Sequence, residues 1–120
     1  MTVVSGSELE FADLPGRRSA DPLRDVDAAS SVRVVELERT EGRAAHRHPH
    51  SEEVVYVAAG HGSVWIDGQT HDVRQGDIVH VPVGAAHATI PADGVEMRLI
   101  CFFPHPDLSE NIEDTPTRVT

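Results

Sequence analysis

Lysine is absent from this chain, and cysteine occurs once, as Cys101. A lone cysteine rules out an intrachain disulfide and any zinc or iron–sulfur site built from several thiolates of one chain, and it fits a reducing cytoplasm. No stretch approaches the roughly 18 consecutive apolar residues of a membrane-spanning helix. The opening M-T-V-V-S-G-S-E-L-E lacks the positive start and apolar run of a signal peptide, so a soluble, cytoplasmic protein is expected. Basic clusters are missing too. Ten arginines are scattered among 20 acidic residues, for a net charge of −10. No patch can neutralise a row of phosphates, which disfavours nucleic acid and anionic membranes as partners.

What is present reads as one domain, because 120 residues support one continuous core and not two. Residues 1–31, with Pro15, Gly16 and Pro22, show no sustained period and read as an irregular N-terminal arm. From Val32 the texture becomes β-rich. V-R-V-V-E-L-E, E-V-V-Y-V-A-A, S-V-W-I-D, D-I-V-H-V-P and V-E-M-R-L-I-C-F-F follow one another at short intervals. Asp67-Gly68 is a strong hairpin signal, since both central positions of a type I′ turn need positive φ. Many short strands with regular turns predict an all-β sandwich or barrel over residues 32–104. Residues 105–120 are polar and carry prolines, and they read as a tail extended over the surface or mobile.

The chemistry concentrates in histidine. Six of the eight histidines lie between His46 and His80, and His87 follows soon after. On a strand, residues i and i+2 share a face, so His46 and His48 can direct both imidazoles into one cavity. Pro49 cannot donate to a central ladder and ends that strand; an antiparallel return then brings Glu53 beside the pair. His87 comes from G-D-I-V-H-V-P-V-G-A-A-H, where Pro82 and Gly84 make a turn. Three imidazoles and one carboxylate suit a divalent transition ion such as iron, manganese, nickel, copper or zinc, with positions left open for water or substrate.

Two motifs carry a family resemblance. H46-R-H48-P-H-S-E-E53 with Gly60 resembles the first cupin motif, and G76-D-I-V-H-V-P82-V-G84-A-A-H87 resembles the second, with the short spacing of minimal bacterial cupins. The resemblance spans about Val32 to Phe103 and implies an antiparallel double-stranded β-helix, the jelly-roll barrel. It also implies that His46, His48, Glu53 and His87 are the metal ligands. Gly42 lies closer to His46 than the usual motif glycine, and Pro91 stands where the second motif often has Asn.

Other residues have more than one reading. His50 is a turn residue, a support behind the ligands, a replacement ligand in a shifted register or a substrate contact. His80, between Val79 and Val81, is a hydrogen-bonded core histidine or a pocket-lining proton carrier alongside Glu53. Arg17 in the arm and Arg98 in the last strand are candidate anion-binding groups for the substrate. Tyr56, Trp65, Phe102 and Phe103 lie in strand runs and read as packing. Cys101 reads as a small core residue. The expected activity is metal-dependent chemistry on a small chelating organic substrate: dioxygenation, or redox-neutral isomerisation, decarboxylation, lyase or cyclase steps. The alternative is a non-catalytic metal- or small-molecule-binding module. The resemblance also implies a homodimer, with the arm as its agent.

Overall fold

A computed structural model describes residues 1–120. It contains eleven strands: β1 (Phe11–Leu14), β2 (Arg17–Ala20), β3 (Ser31–Leu37), β4 (Arg43–Arg47), β5 (Glu53–Ala59), β6 (His61–Ile66), β7 (Gln69–Arg74), β8 (Ile78–Val81), β9 (His87–Pro91), β10 (Met97–Phe103) and β11 (Glu113–Val119). They form two sheets, ordered β1-β2-β3-β10-β5-β8 and β11-β4-β9-β6-β7, and every pairing is antiparallel. The sheets face each other as a jelly roll. No helix is long and apolar enough to cross a membrane.

Period-two alternation decides what the core contains. On β10, Met97, Leu99, Cys101 and Phe103 are buried, while the residues between them turn outward. On β5, Glu53, Val55 and Val57 are buried by the same rule. These side chains meet Val64 of β6 and Val73 of β7 from the opposite sheet. Asp67 (φ 44°) and Gly68 (φ 90°) form the hairpin turn between Ile66 and Gln69. Gly60, the motif glycine, sits at φ 82°, and a Cβ there would collide with the Glu96 carbonyl, so no other residue fits without strain.

Both termini differ from the sequence expectation. The arm is not irregular: β1 and β2 form a hairpin around Pro15-Gly16, and β2 extends the first sheet by pairing with β3. Each strand is only four residues long, too short to show a period, and the turn combines a proline-fixed φ with a positive-φ glycine. The tail is not a loose surface segment either, since β11 pairs with β4 as an edge strand. Its register breaks between Asp114 and Arg118, around Pro116, which cannot donate to the ladder. Thr115 Oγ1 donates to the Ala45 carbonyl at 2.8 Å and ties the bulge down. The prolines that argued against a strand are accommodated because it lies at an edge.

Candidate metal centre

His46 on β4 lies directly across from His87 on β9, and His48 follows at the end of β4. Their ring centroids are 4.4 to 5.1 Å apart. One ring nitrogen from each of the three histidines falls within 4.8 Å of the others. Glu53, the first residue of β5, reaches across from the opposite sheet, with Oε1 2.9 Å from His87 Nε2 and 3.4 Å from His48 Nε2.

Backbone carbonyls fix the orientation of two rings. His48 Nδ1 donates to the Asn111 carbonyl at 2.8 Å, and His87 Nδ1 to the Ala85 carbonyl at 3.0 Å. A carbonyl can only accept, so Nδ1 carries the hydrogen and the neutral ring keeps its lone pair on Nε2. Both Nε2 atoms are buried and have no hydrogen-bond partner, since in this tautomer each presents a lone pair to Glu53 Oε1, itself an acceptor. Buried, unpartnered imidazole nitrogens beside a carboxylate are the donor set a divalent transition ion needs, and carbonyl-anchored Nδ1 atoms are the usual outer support of ligating histidines. The residues present therefore fit a metal.

Electrostatics agree. Burial pushes His46 down to about 3 and keeps its ring neutral, with the charge of His87 reinforcing the shift. Burial would raise the Glu53 carboxyl, but His48 and His87 outweigh it and hold Glu53 at about 2, as a carboxylate. Burial also opposes protonation of His87, yet Glu53 and then the Ala85 carbonyl raise it overall. In the folded state His46 and Glu53 bind fewer protons than in the unfolded chain, so stability rises with pH from about 3 to 6.5 for His46 and from about 2 to 4.5 for Glu53. The contribution of His87 runs the other way but is already complete below 6.5. Metal-free protein is therefore expected to lose melting temperature steadily from pH 6.5 toward 3, and His46→Gln to flatten the upper part of that decline. A parallel decline in the variant would contradict a buried, neutral His46.

The cluster lines a cavity of about 200 Å³ whose walls are largely apolar, among them Val35, Leu37, Val55, Leu99, Phe103 and Leu108. The β1–β2 hairpin supplies Leu14, Arg17 and Ser19, and the tail supplies Leu108 and Ile112.

A family model described as "Cupin domain" matches residues 33–103. The chain belongs to the cupin family. Protein SchB of Streptomyces halstedii is 39% identical over 67 residues, 52% of this cupin and 49% of that protein. The chain spans about half the length of the curated relatives it matches. Among solved structures, the Streptomyces nucleoside dehydratase Pac13 superposes with a TM-score of 0.77 at 18% identity, covering 96% of this cupin and 91% of that chain. The polyketide cyclase RemF of Streptomyces resistomycificus gives 0.75 at 18%, covering 98% and 83%. At such identity these two likenesses show the fold alone.

The structure brings His46, His48, Glu53 and His87 together, and it places Arg17 on the cavity wall of the cupin. Three other candidates are corrected. His80 faces outward from β8, more than half exposed, and contacts Glu52 at 3.2 Å; it is not a core histidine and does not line the cavity of the histidine cluster. Arg98 also turns outward, since Met97 and Leu99 take the inner face of β10. His50 is exposed in the turn after β4, stacked on His105 at 5.9 Å and outside the cavity, so it does not contact substrate there. Sequence reasoning missed Arg33, Arg43 and Thr89 on the cavity wall and Asn111 behind His48. Asn111 is the only asparagine of the chain and follows a 3₁₀ turn, Leu108–Glu110, capped by Asp107; that capping pattern was its one signal.

Proposed function

We propose that this cupin is a metal-dependent enzyme acting on a small, chelating organic substrate. One observation carries the reading: two tautomer-locked imidazole nitrogens without partners, with a third imidazole beside them, at the wall of an apolar cavity. His46, His48 and His87 hold the ion and Glu53 completes the set. Bound there, a divalent transition ion supplies Lewis acidity toward a carbonyl or enol oxygen. The apolar walls exclude water and strengthen every charge interaction inside. The Glu53 carboxylate balances part of the ion's charge, while the Asn111 and Ala85 carbonyls orient His48 and His87. This arrangement favours enolisation-type chemistry, namely isomerisation, cyclisation or lyase steps. The cyclase and dehydratase among the proteins of similar fold add support by analogy.

The test loads metal-free protein separately with iron, manganese, nickel, copper and zinc and follows enolisable dicarbonyl and phenolic compounds by mass spectrometry and oxygen uptake. Metal-dependent turnover without oxygen uptake is expected, and its loss in His87→Ala. Turnover with oxygen uptake would make the protein a dioxygenase. Tight binding without turnover under any of the five ions would leave a binding module and sink the enzyme reading.

The protein also acts as a homodimer in this proposal. Ile100, Tyr56 and Ile78 form one row across β10, β5 and β8 on the outer face of the first sheet, with Phe102 and Val54 beside it. Ile78 is 71% exposed, Tyr56 46% and Phe102 41%. The face is roughly 10 to 15 Å wide at the ordinary strand spacing, and its exposed apolar side chains lie side by side as a patch that a partner would cover. A two-fold pairing with a second copy covers both faces at once and approaches the roughly 1,000 Å² of a stable interface. Sedimentation is expected to give twice the 13.0 kDa chain mass, and Ile78→Glu to shift it to the single-chain value. A monomeric wild type would remove the dimer.

A further inference from the structure

The hairpin contributes an inward-facing charge that the metal reading leaves unused. Alternation turns Arg17 and Ser19 of β2, and Arg33 and Val35 of β3, toward the cavity. A guanidinium on an inner face is costly unless a carboxylate answers it. Arg33 has that answer in Asp21, at 2.7 Å. Arg17 has none: it makes no ion pair and no hydrogen bond, although acidic residues outnumber basic ones 20 to 10 in the chain. Arg43, at the start of β4, also lines the cavity. It donates through Nη2 to the Gly16 and Glu38 carbonyls at 3.2 and 2.8 Å, and its Nε is buried without a partner. Burial and then the like charge of Arg17 push the Arg43 guanidinium down from its ordinary value, so the two cations lie close enough to repel.

The charge of the cavity is therefore opposite to that of the protein. Three guanidiniums line it, Asp21 cancels one, and Glu53 is the sole carboxylate on the wall, which leaves +1 before any ion is counted in a chain of net charge −10. Arg17 also acts on His46 through its charge, so its field reaches the histidine cluster. An engineered apolar cavity of about 150 Å³ accepts benzene, and the present cavity is about 200 Å³, which sets the enclosed body at about one ring.

We propose that Arg17, supported by Arg43, forms a carboxylate-binding subsite beside the histidine cluster, so that the substrate is an anion: a ring-sized apolar body carrying a carboxylate for Arg17 and chelating oxygens for the metal. The chelating half of this statement rests on the metal reading; the carboxylate half does not. An anion beside the two guanidiniums relieves their repulsion, and the bidentate fork of Arg17 matches a carboxylate better than any neutral group.

Calorimetry with two matched pairs of probes tests it. In metal-loaded protein, 3,4-dihydroxybenzoate is compared with 3,4-dihydroxybenzamide, which keeps the chelating hydroxyls and loses the charge. In metal-free protein, benzoate is compared with benzamide. The carboxylate is expected to bind about tenfold tighter or more in both pairs, as a charge-assisted contact implies. Arg17→Gln should abolish the preference while metal content and melting temperature stay at wild-type values. Equal binding of acid and amide by the wild type, binding of neither, or a preference that survives Arg17→Gln would each overturn the subsite. The wild-type comparison needs no variant, so it stands even if Arg17→Gln misfolds. Failure to take up metal would sink the metal reading alone, and the benzoate pair would still decide the role of Arg17.

Discussion

Chelation is expected to lower the melting temperature of the wild-type cupin and to leave His48→Ala unmoved. An ion bound to the folded state alone stabilises it by about 4 kcal/mol when free metal is a thousandfold above Kd, which corresponds to a shift on the order of 15 °C for a domain of this size. His48 is 2% exposed, and its Nε2 has nothing in the protein to bond. Its removal takes one of three converging imidazoles and opens space beside Phe103, which packs edge-on against the ring at 4.7 Å. Loss of an outer support behind a ligand already costs about ten- to a hundredfold in affinity, so direct loss of His48 or His87 should exceed a hundredfold. Elemental analysis of protein purified without added metal measures this directly, and Glu53→Gln is expected to fall between wild type and His48→Ala. Full metal content in His48→Ala would refute the ligand assignment.

The second large effect is expected at a residue that touches no metal. Asn111 is fully buried, and four bonds converge on it. Its Oδ1 accepts from the His50 amide at 2.8 Å, its Nδ2 donates to Ser51 Oγ at 2.8 Å, its carbonyl accepts from His48 Nδ1, and its amide donates to the Leu108 carbonyl. The side chain thereby fastens the turn between β4 and β5, the segment that sets His48 against Glu53. Asn111→Ala removes both side-chain bonds and leaves the His50 amide without its partner, while Ser51 Oγ keeps only its bond to the Glu52 carbonyl; the cost is about 1 to 3 kcal/mol, or roughly 10 °C in melting temperature. It also loosens the carbonyl that holds the His48 tautomer, so metal affinity should fall about tenfold. Thermal melts and metal titrations on the same variant separate the two effects. A variant that melts early yet binds metal as tightly as wild type would confine Asn111 to the fold.

Much of this molecule was legible in its residues. Asp67-Gly68 marks a hairpin that both positive φ values realise, and the five apolar runs between Val32 and Phe103 fall in strands β3, β5, β6, β8 and β10, with His46, His48 and Glu53 flanking one turn. These are local signals, in which backbone sterics and i, i+2 geometry act over a few residues and need no knowledge of the rest of the chain.

What local pattern could not supply is the absolute direction of a face. Alternation says that His80 lies opposite Val79 and Val81, and that Arg98 lies opposite Met97 and Leu99, but both faces of β10 carry apolar side chains. Only packing of the second sheet against Met97, Leu99, Cys101 and Phe103 made that face the interior, and it sent Arg98, Ile100 and Phe102 out to the surface. The termini were hidden for a related reason. The hairpin that carries Arg17 gains its place from pairing with β3, and Asn111 from contacts with residues 60 or more positions earlier. The sequence by itself determined the strands, the turns and the residue types that suit a metal. The tertiary structure decided which side chains share the cavity, because burial of one sheet face by another is a long-range contact that no local period encodes.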